Sequence, residues 1–516
     1  MSSPAITIPP RRSLALFAVL AMLMVVLSYI FILLLAVACV YVPFLIISNS
    51  AGFQTLALMI AGVIVAGSMI WSLVPRRDKF EAPGLALTRA SHPRLFAELE
   101  DIAAALNEPM PAEVYLIGDA NAWVADRGGL MGFGSRRVMG LGLPLLAALN
   151  VSQFRAILAH EFGHYYGGDT KLGPWLHRTQ MAMIRTFQNL GSVGSTMRVA
   201  LMQLLYYIVF GILKAYWKLF LRAINFVSRK QEFRADELAC IVAGPEALIS
   251  GLRGVHAAAS AWPSFLKTEM APMFNMGYLP PMTTGFAQFL AAPPILQQVR
   301  QGLEKRIREE KTQPFNSHPP LRERVAAAQR LSIPSLPRDT ELALALLNNV
   351  GNEEVRFLRA MHPELMEKPL KPVAWEEGGP VVLIPTWMRS VTTYGSMLEG
   401  MTVGNLLESL ERVPQIAPHI HDPKGMLLTP EQRIERARSL LAMGFALALF
   451  RGGAKLCSSP GQFYFELGGE KLNPFELTTK LSDGAISKAA WDETCRKLGI
   501  GNLALGLENK ADVIAQ

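Results

Sequence analysis

Two long runs without a charged residue open the chain. Residues 13–47 contain no Asp, Glu, Lys or Arg, and after a polar break at Ser48, Asn49 and Ser50 a second uncharged run covers residues 53–73. Each is long enough to cross a hydrocarbon core, which takes ~20 residues. The pattern predicts a transmembrane hairpin over residues 1–80, with Pro43 ending the first regular helix. The periodicity then changes. Leu95, Phe96, Leu99, Ile102, Ala103 and Leu106 recur at helical spacing within residues 93–107. Glu113–Ile117 reads as a strand, residues 121–125 as a second, and Arg137, Val138 and Met139 lead into a third, with glycines at the turn between them. Helical spacing resumes with Phe154, Ile157 and Leu158. Asn150 is a good N-cap with Gln153 three places on, and Gly167-Gly168 supplies a stop. A third apolar run, 199–213, is short for a span and is flanked by Arg198 and Lys214. It is expected to lie on, or dip into, the inner leaflet, with a transmembrane pair as the alternative; Arg185 makes residues 178–193 a weak second crossing.

Past Pro334 and Pro337 the pattern becomes that of a soluble domain. Thr429, Pro430 and Gln432 make a capping box that opens a helix reaching about Phe450. Residues 463–467 followed by Gly468-Gly469 suggest a hairpin, and residues 486–498 a final helix. The expected fold is mainly α with a small β-sheet (α+β). Its parts are the hairpin at 1–80, a catalytic region at 81–330, and a C-terminal α+β extension at 331–516.

Composition agrees with membrane segments: 51% of residues are hydrophobic and the mean hydropathy is +0.25. The net charge of +8 shows no basic stripe interleaved with aromatics, which argues against a nucleic-acid partner. The cations gather around the spans instead. Arg11 and Arg12 precede the first, Arg76, Arg77 and Lys79 follow the second, and the turn has none. The positive-inside rule therefore puts both outer ends in the cytoplasm. Ala36-Val37-Ala38 mimics a signal-cleavage site, but the apolar run is too long for a usual signal core. Cys39, Cys240, Cys457 and Cys495 are scattered and form no C-x-x-C pair, which argues against a disulfide framework or a cysteine zinc site and fits a reducing compartment. His419, His421 and Asp422 form H-x-H-D among prolines and read as a loop rather than a metal site.

The chemistry concentrates in His160-Glu161-Phe162-Gly163-His164. Histidines four apart share one helical face and can hold one tetrahedral metal, with Glu161 beside its open position. Zinc brings the pKa of a bound water near 7, and an adjacent carboxylate can take that proton. The predicted chemistry is amide hydrolysis. A catalytic zinc needs a third protein ligand, and the best candidate run is 228–236. There Glu232 and Asp236 stand four apart; one carboxylate can bind metal while the other accepts the spare ring N–H of a ligand histidine.

Taken together, His-Glu-Phe-Gly-His and Ser228-Arg229-x-x-Glu232-Phe233-x-Ala235-Asp236 resemble the HtpX-type and CAAX-prenyl-type membrane zinc endopeptidases. The resemblance covers roughly residues 81–330 and the membrane layout before them. It implies a zincin-like metalloprotease domain holding one Zn2+ per chain, with His160, His164 and Glu232 as ligands, Glu161 as general base, and Asp236 supporting a ligand. Asn121, Ala122, Trp123 and Val124 are similar to the family's substrate-pairing strand; an exposed edge strand binds an extended peptide through main-chain hydrogen bonds. Ser317-His318-Pro319-Pro320-Leu321, with Arg324, is similar to the family's closing His-Pro motif. His318 would stabilise an oxyanion or fill the open metal position; Arg324 would orient that loop or bind a substrate carbonyl. The resemblance further implies misfolded membrane proteins as substrates and a bacterial inner membrane, with the active site cytoplasmic. The partners expected are thus a peptide or protein substrate and the lipid bilayer; the sequence carries no signal for an oligomeric state. The alternatives are a non-catalytic membrane adaptor with a structural metal, and a zinc aminopeptidase.

Overall fold

Pro43 does not stop the first helix. In the computed structural model, which describes residues 15–49, 52–74, 80–129, 134–165, 173–196, 200–311, 313, 318–334, 336–367, 369–421 and 427–507, helix α1 runs unbroken from Ala15 to Asn49 with Pro43 inside it. A proline cannot donate to the carbonyl four residues back, here that of Cys39. Helix α2 (Phe53–Leu73) brings Gly62 against that same carbonyl: a Cβ there would fall 2.0 Å from Cys39 O. The close approach of a side-chain-free position shields the carbonyl that proline leaves without its usual donor, and the helix continues. The charged flanks Arg11, Arg12, Arg76, Arg77 and Lys79, like Gly167-Gly168 and Arg198, lie outside the described residues.

The chain forms two units, Met1–Ala259 with Arg300–Met361, and Ser260–Val299 with His362–Gln516. In the first, a four-stranded sheet has the order β1-β2-β4-β3. Its strands are β1 (Leu85–Leu87), β2 (Glu113–Ile117), β3 (Ala122–Arg127) and β4 (Arg136–Gly142). β2 and β4 are parallel, with Glu113 opposite Val138, while β3 runs antiparallel to β4 with Trp123 opposite Gly140. The strands expected at 113–117 and 121–125 are present, the latter shifted to 122–127; β1, three residues long, carries no readable alternation. Helix α3 (Pro93–Ala105) buries Leu95, Leu99, Ile102 and Ala103 of the predicted stripe, with Leu106 buried just beyond its end and Phe96 half-buried. Helix α4 (Leu143–Ala148) leads into α5 (Val151–Gly163).

Helix α6 (Gly173–Thr196) and helix α7 (Ala200–Ala243) follow. α7 is one element of 44 residues, so the apolar run near 199–213 and the Glu232–Asp236 motif share a single rod. Val209 and Leu213 of α7 and Met183 and Leu190 of α6 are buried together with Ile32, Ala36, Ala61, Val65 and Met69 of the hairpin. The Tyr216 ring stacks on Phe31 at 4.0 Å, and its hydroxyl is 2.9 Å from Ser28 Oγ. Among the described residues, three stretches are long and apolar enough to cross a membrane: Met22–Ile46, Leu56–Leu73 and Gln203–Ala243. Helix α8 (Pro245–Phe265) carries the chain past the unit boundary.

The second unit is built on the helix Pro430–Arg451. Its predicted capping box is formed: Thr429 Oγ1 accepts from the Gln432 N–H and Gln432 Oε1 from the Thr429 N–H. The unit also contains two short parallel strands, β5 (Tyr278–Leu279) and β6 (Lys371–Pro372), and the antiparallel sheet β7 (Lys455–Ser459), β8 (Gln462–Leu467), β9 (Glu470–Leu472). Gly468 and Gly469 both have positive φ, 59° and 83°, which makes the expected hairpin turn between β8 and β9. Trp491 of the final helix, Lys488–Leu498, packs edge-on against Phe445. Among the described residues all four cysteines are free.

The Gly62–Cys39 contact gives a direct test. A Gly62→Val protein should lose about 1–3 kcal/mol of stability through overpacking. The check is its thermal unfolding in detergent beside Gly67→Val, since nothing lies within 4 Å of a Cβ at Gly67 and that change should cost much less.

Candidate metal centre

Helix α5 begins as its sequence predicts. Asn150 accepts from the Gln153 N–H at 2.8 Å, and Gln153 Oε1 accepts from the Asn150 N–H at 3.0 Å. The helix then delivers His160 and His164 to one face, at its C-terminal end. α7 supplies the facing side. The two helices approach closely at Gly163, where an added Cβ would sit 3.1 Å from Ala235 Cα. Ala235 lies between Glu232 and Asp236, so this contact sets the separation of the two motifs.

Three side chains converge there. His160 Nε2 and His164 Nε2 are 3.2 Å apart. Glu232 Oε2 is 3.5 Å from His160 Nε2, and Glu232 Oε1 is 3.5 Å from His164 Nε2. A tetrahedral ion with bonds of about 2.0–2.2 Å has edges between ligand atoms of about 3.4 Å, and these three distances straddle that value. Glu232 is buried, and its Oε2 has no hydrogen-bond donor. A buried lone pair of that kind is costly unless something fills it. Two neutral imidazoles and a carboxylate are a donor set suited to zinc, and among the described residues this is the one group of three or more that could hold a metal ion.

The surrounding groups hold the donors in place. His160 Nδ1 lies 3.0 Å from Asp236 Oδ1. Donating there leaves the lone pair on Nε2, which faces His164 and Glu232 and has Arg324 Nη2 at 3.4 Å. Arg324 Nη2 also approaches His160 Nδ1, at 3.3 Å. A protonated Nδ1 cannot accept from it, and the guanidinium is already committed: it grips Asp236 in two bonds of 2.8 Å and 2.6 Å. Arg324 is itself buried, in the first turn of the helix Leu321–Gln329, and its Nη1 is 3.6 Å from Glu232 Oε2. Burial draws the His164 ring down to about 4, so it is neutral at physiological pH. Burial pushes the half-buried Glu161 carboxyl up to about 7.

His318 stands on the loop before that helix. It is largely exposed, and its Nδ1 is 2.9 Å from Glu232 Oε1. The hydrogen bond to Glu232 raises its pKa. Ser317 lies outside the described residues. Ala122, Trp123 and Val124 lie in β3, an edge strand of its sheet, and Asn121 immediately precedes it. β3 packs beside α5. Ala122 is buried, and the Trp123 indole covers Gly140, where a Cβ would come within 2.5 Å of it. His421 Nδ1 sits 2.7 Å from the His419 carbonyl oxygen, and Asp422 is outside the described residues.

Sequence reasoning missed the contact at Gly163, for which the small Gly and Ala in the two motifs were the available signal. It also missed residues 339–343, which meet the start of α5 and carry no motif.

Residues 89–332 match the model of Peptidase family M48, so the family resemblance carried by the two motifs is borne out. The chain is also similar to Protease HtpX of Hahella chejuensis, 27% identical over 194 residues that make up 36% of this chain and 54% of that protein. The chain thus spans about half the length of the curated relative it matches.

The close approach at Gly163 predicts a graded effect. Gly163→Ala needs a shift of only tenths of an ångström, whereas Gly163→Val must separate α5 from α7. Zinc affinity, measured by competition with a chelator, should be little changed in the first and fall at least ~10-fold in the second.

Proposed function

We propose that this protein is a membrane-anchored zinc metalloendopeptidase that cleaves peptide bonds at the cytoplasmic face of a bacterial inner membrane, in the quality control of membrane proteins. The observation that carries the reading is the convergence of His160, His164 and Glu232 beside Glu161, inside a region that matches a peptidase family. His160, His164 and Glu232 would hold one zinc. Bound there, zinc supplies a Lewis acid that polarises the scissile carbonyl and acidifies water. Glu161 takes the water's proton and returns it to the leaving amine. Asp236 fixes the His160 tautomer. Arg324, buried on Asp236, serves to orient that carboxylate rather than to touch substrate. His318 is exposed at the site's rim, where its ring can donate to the developing oxyanion once it leaves Glu232. The edge of β3 offers main-chain groups to an extended peptide, with Asn121, Ala122, Trp123 and Val124 beside it.

The helix packing supports a membrane location and a depth. Burial of Val209 and Leu213 against both hairpin helices favours α6 and α7 as a membrane pair over helices resting on the leaflet. α7 runs antiparallel to α1: Ser28 and Phe31 meet Tyr216, and Met24 packs with Phe220 and Ile224. From Tyr216 to Glu232 is about 24 Å along the helix, and from Ser28 back to Ala15 about 20 Å. Glu232 therefore stands level with the inner end of the first span, where a cleft can reach segments emerging from the bilayer.

The test is cleavage of casein and of a peptide with a blocked N-terminus by the purified full-length protein. Wild type with zinc should cut both, removal of zinc by a chelator should stop cleavage, and added zinc should restore it. Glu161→Gln should still bind zinc and lose at least ~100-fold in rate. Zinc binding without cleavage would identify the adaptor, and resistance of the blocked peptide the aminopeptidase. Glu232→Ala should lose zinc as well as activity.

A further inference from the structure

We propose that residues 339–348, beyond the family-matched region, form a positioning strap that fixes the N-terminus of the metal helix α5; the inference rests on the metal-centre reading. The first N–H groups of a helix have no acceptor within it. In α5 the first three are all met, two of them by the strap. Val151 N–H donates to the Glu341 carbonyl at 2.8 Å and Ser152 N–H to the Asp339 carbonyl at 3.3 Å, while Asn150 accepts from Gln153. Bonds return the other way: Asp339 N–H donates to Ser152 Oγ at 2.7 Å and Ala343 N–H to the Leu149 carbonyl at 2.9 Å. Asn150 and Leu342 pair as an antiparallel bridge.

The strap is in turn pinned to the start of α3. Arg94 donates to Glu341 Oε2 at 2.6 Å and to the Ala345 carbonyl at 3.0 Å. The buried His92 ring accepts the Asn348 N–H at Nδ1, 3.1 Å, and Asn348 Nδ2 donates to the Ser91 carbonyl at 2.9 Å. Ala343, Leu346 and Leu347 are buried. Strap, α3 and α5 are thus tied at one point. That point is a lever for the metal centre. His160 lies about 15 Å from the cap along α5, so a tilt of about 5° there moves its ring by about 1.3 Å. A zinc site tolerates errors of about 0.2 Å. A cap that sets the angle of α5 therefore sets whether the three donors meet.

The experiment uses the full-length protein in detergent. Val151→Pro deletes only the N–H given to Glu341, because proline suits the first position of a helix. Val151→Ala keeps that N–H and controls for the lost side chain. The readouts are zinc affinity by chelator competition, the visible spectrum with cobalt in place of zinc, and hydrogen exchange of amides 153–157. The proline variant should bind zinc about 10-fold more weakly than the alanine variant, with an altered cobalt spectrum and faster exchange in the first turn. Arg94→Ala, at a half-exposed side chain, should shift all three in the same direction and by less; it provides the comparison if the proline protein does not fold. Equal zinc affinity and identical cobalt spectra in the variants and the wild type would overturn the strap. Failure of the wild type to bind zinc would overturn the metal-centre reading beneath it.

Discussion

The structure depends on one close contact between helices, Gly163 of α5 against Ala235 of α7. Each helix alone presents half of a donor set. The lack of a bulky side chain at Gly163 lets the two backbones come near enough for His164 and Glu232 to stand 3.5 Å apart. Because α7 is a single rod, that contact ties the site to the hydrophobic bundle as well. Val209 and Leu213 lock the near half of α7 against the hairpin, and the far half carries Glu232 and Asp236. The carboxylates are therefore held by packing some 30–40 Å away along the helix, as well as by their own hydrogen bonds.

The charges gathered at this contact explain why a cation fits it. Glu232, Asp236 and Arg324 are all buried. Unpaired, any of them would be expensive to keep in the interior. Arg324 neutralises Asp236 through two hydrogen bonds and leaves Glu232 with one oxygen lacking a donor. With Glu161 ionised as well, the local balance is two negative charges in excess, which matches a divalent ion. The raised Glu161 carboxyl belongs to the metal-free cluster, because a bound cation favours the ionised form and draws it down.

The candidate site was legible in the sequence because its parts are local. A spacing of four on a helix states that two side chains share a face, and both motifs rely on that alone. The capping boxes at Asn150 and Thr429 were legible for the same reason. What escaped is non-local. The three-residue strand β1 has no alternation and exists through its pairing with β2. The helical course through Pro43 depends on Gly62 from another helix, so a rule about proline within one helix gave the wrong end. Residues 339–343 meet the start of α5 through their backbone groups rather than their side chains, and such contacts leave no mark on residue type.

Arg185 shows how a cation within α6 is accommodated by a neighbouring helix. A cation within residues 178–193 counts against a crossing when the segment is scored by itself. Packed against α2, Arg185 donates to the Ser72 carbonyl at 3.2 Å, and Asn189 donates to Ser72 Oγ at 2.9 Å. Ser72 lies in the last turn of α2, where carbonyls lack intrahelical donors and the helix dipole favours a positive charge. That turn is also the end of a span, so a long side chain can keep its charge near the headgroups while its stem stays among apolar neighbours. The polar residues of α6 thus satisfy a neighbouring helix end, and they are compatible with burial of Met183 and Leu190 in the bundle.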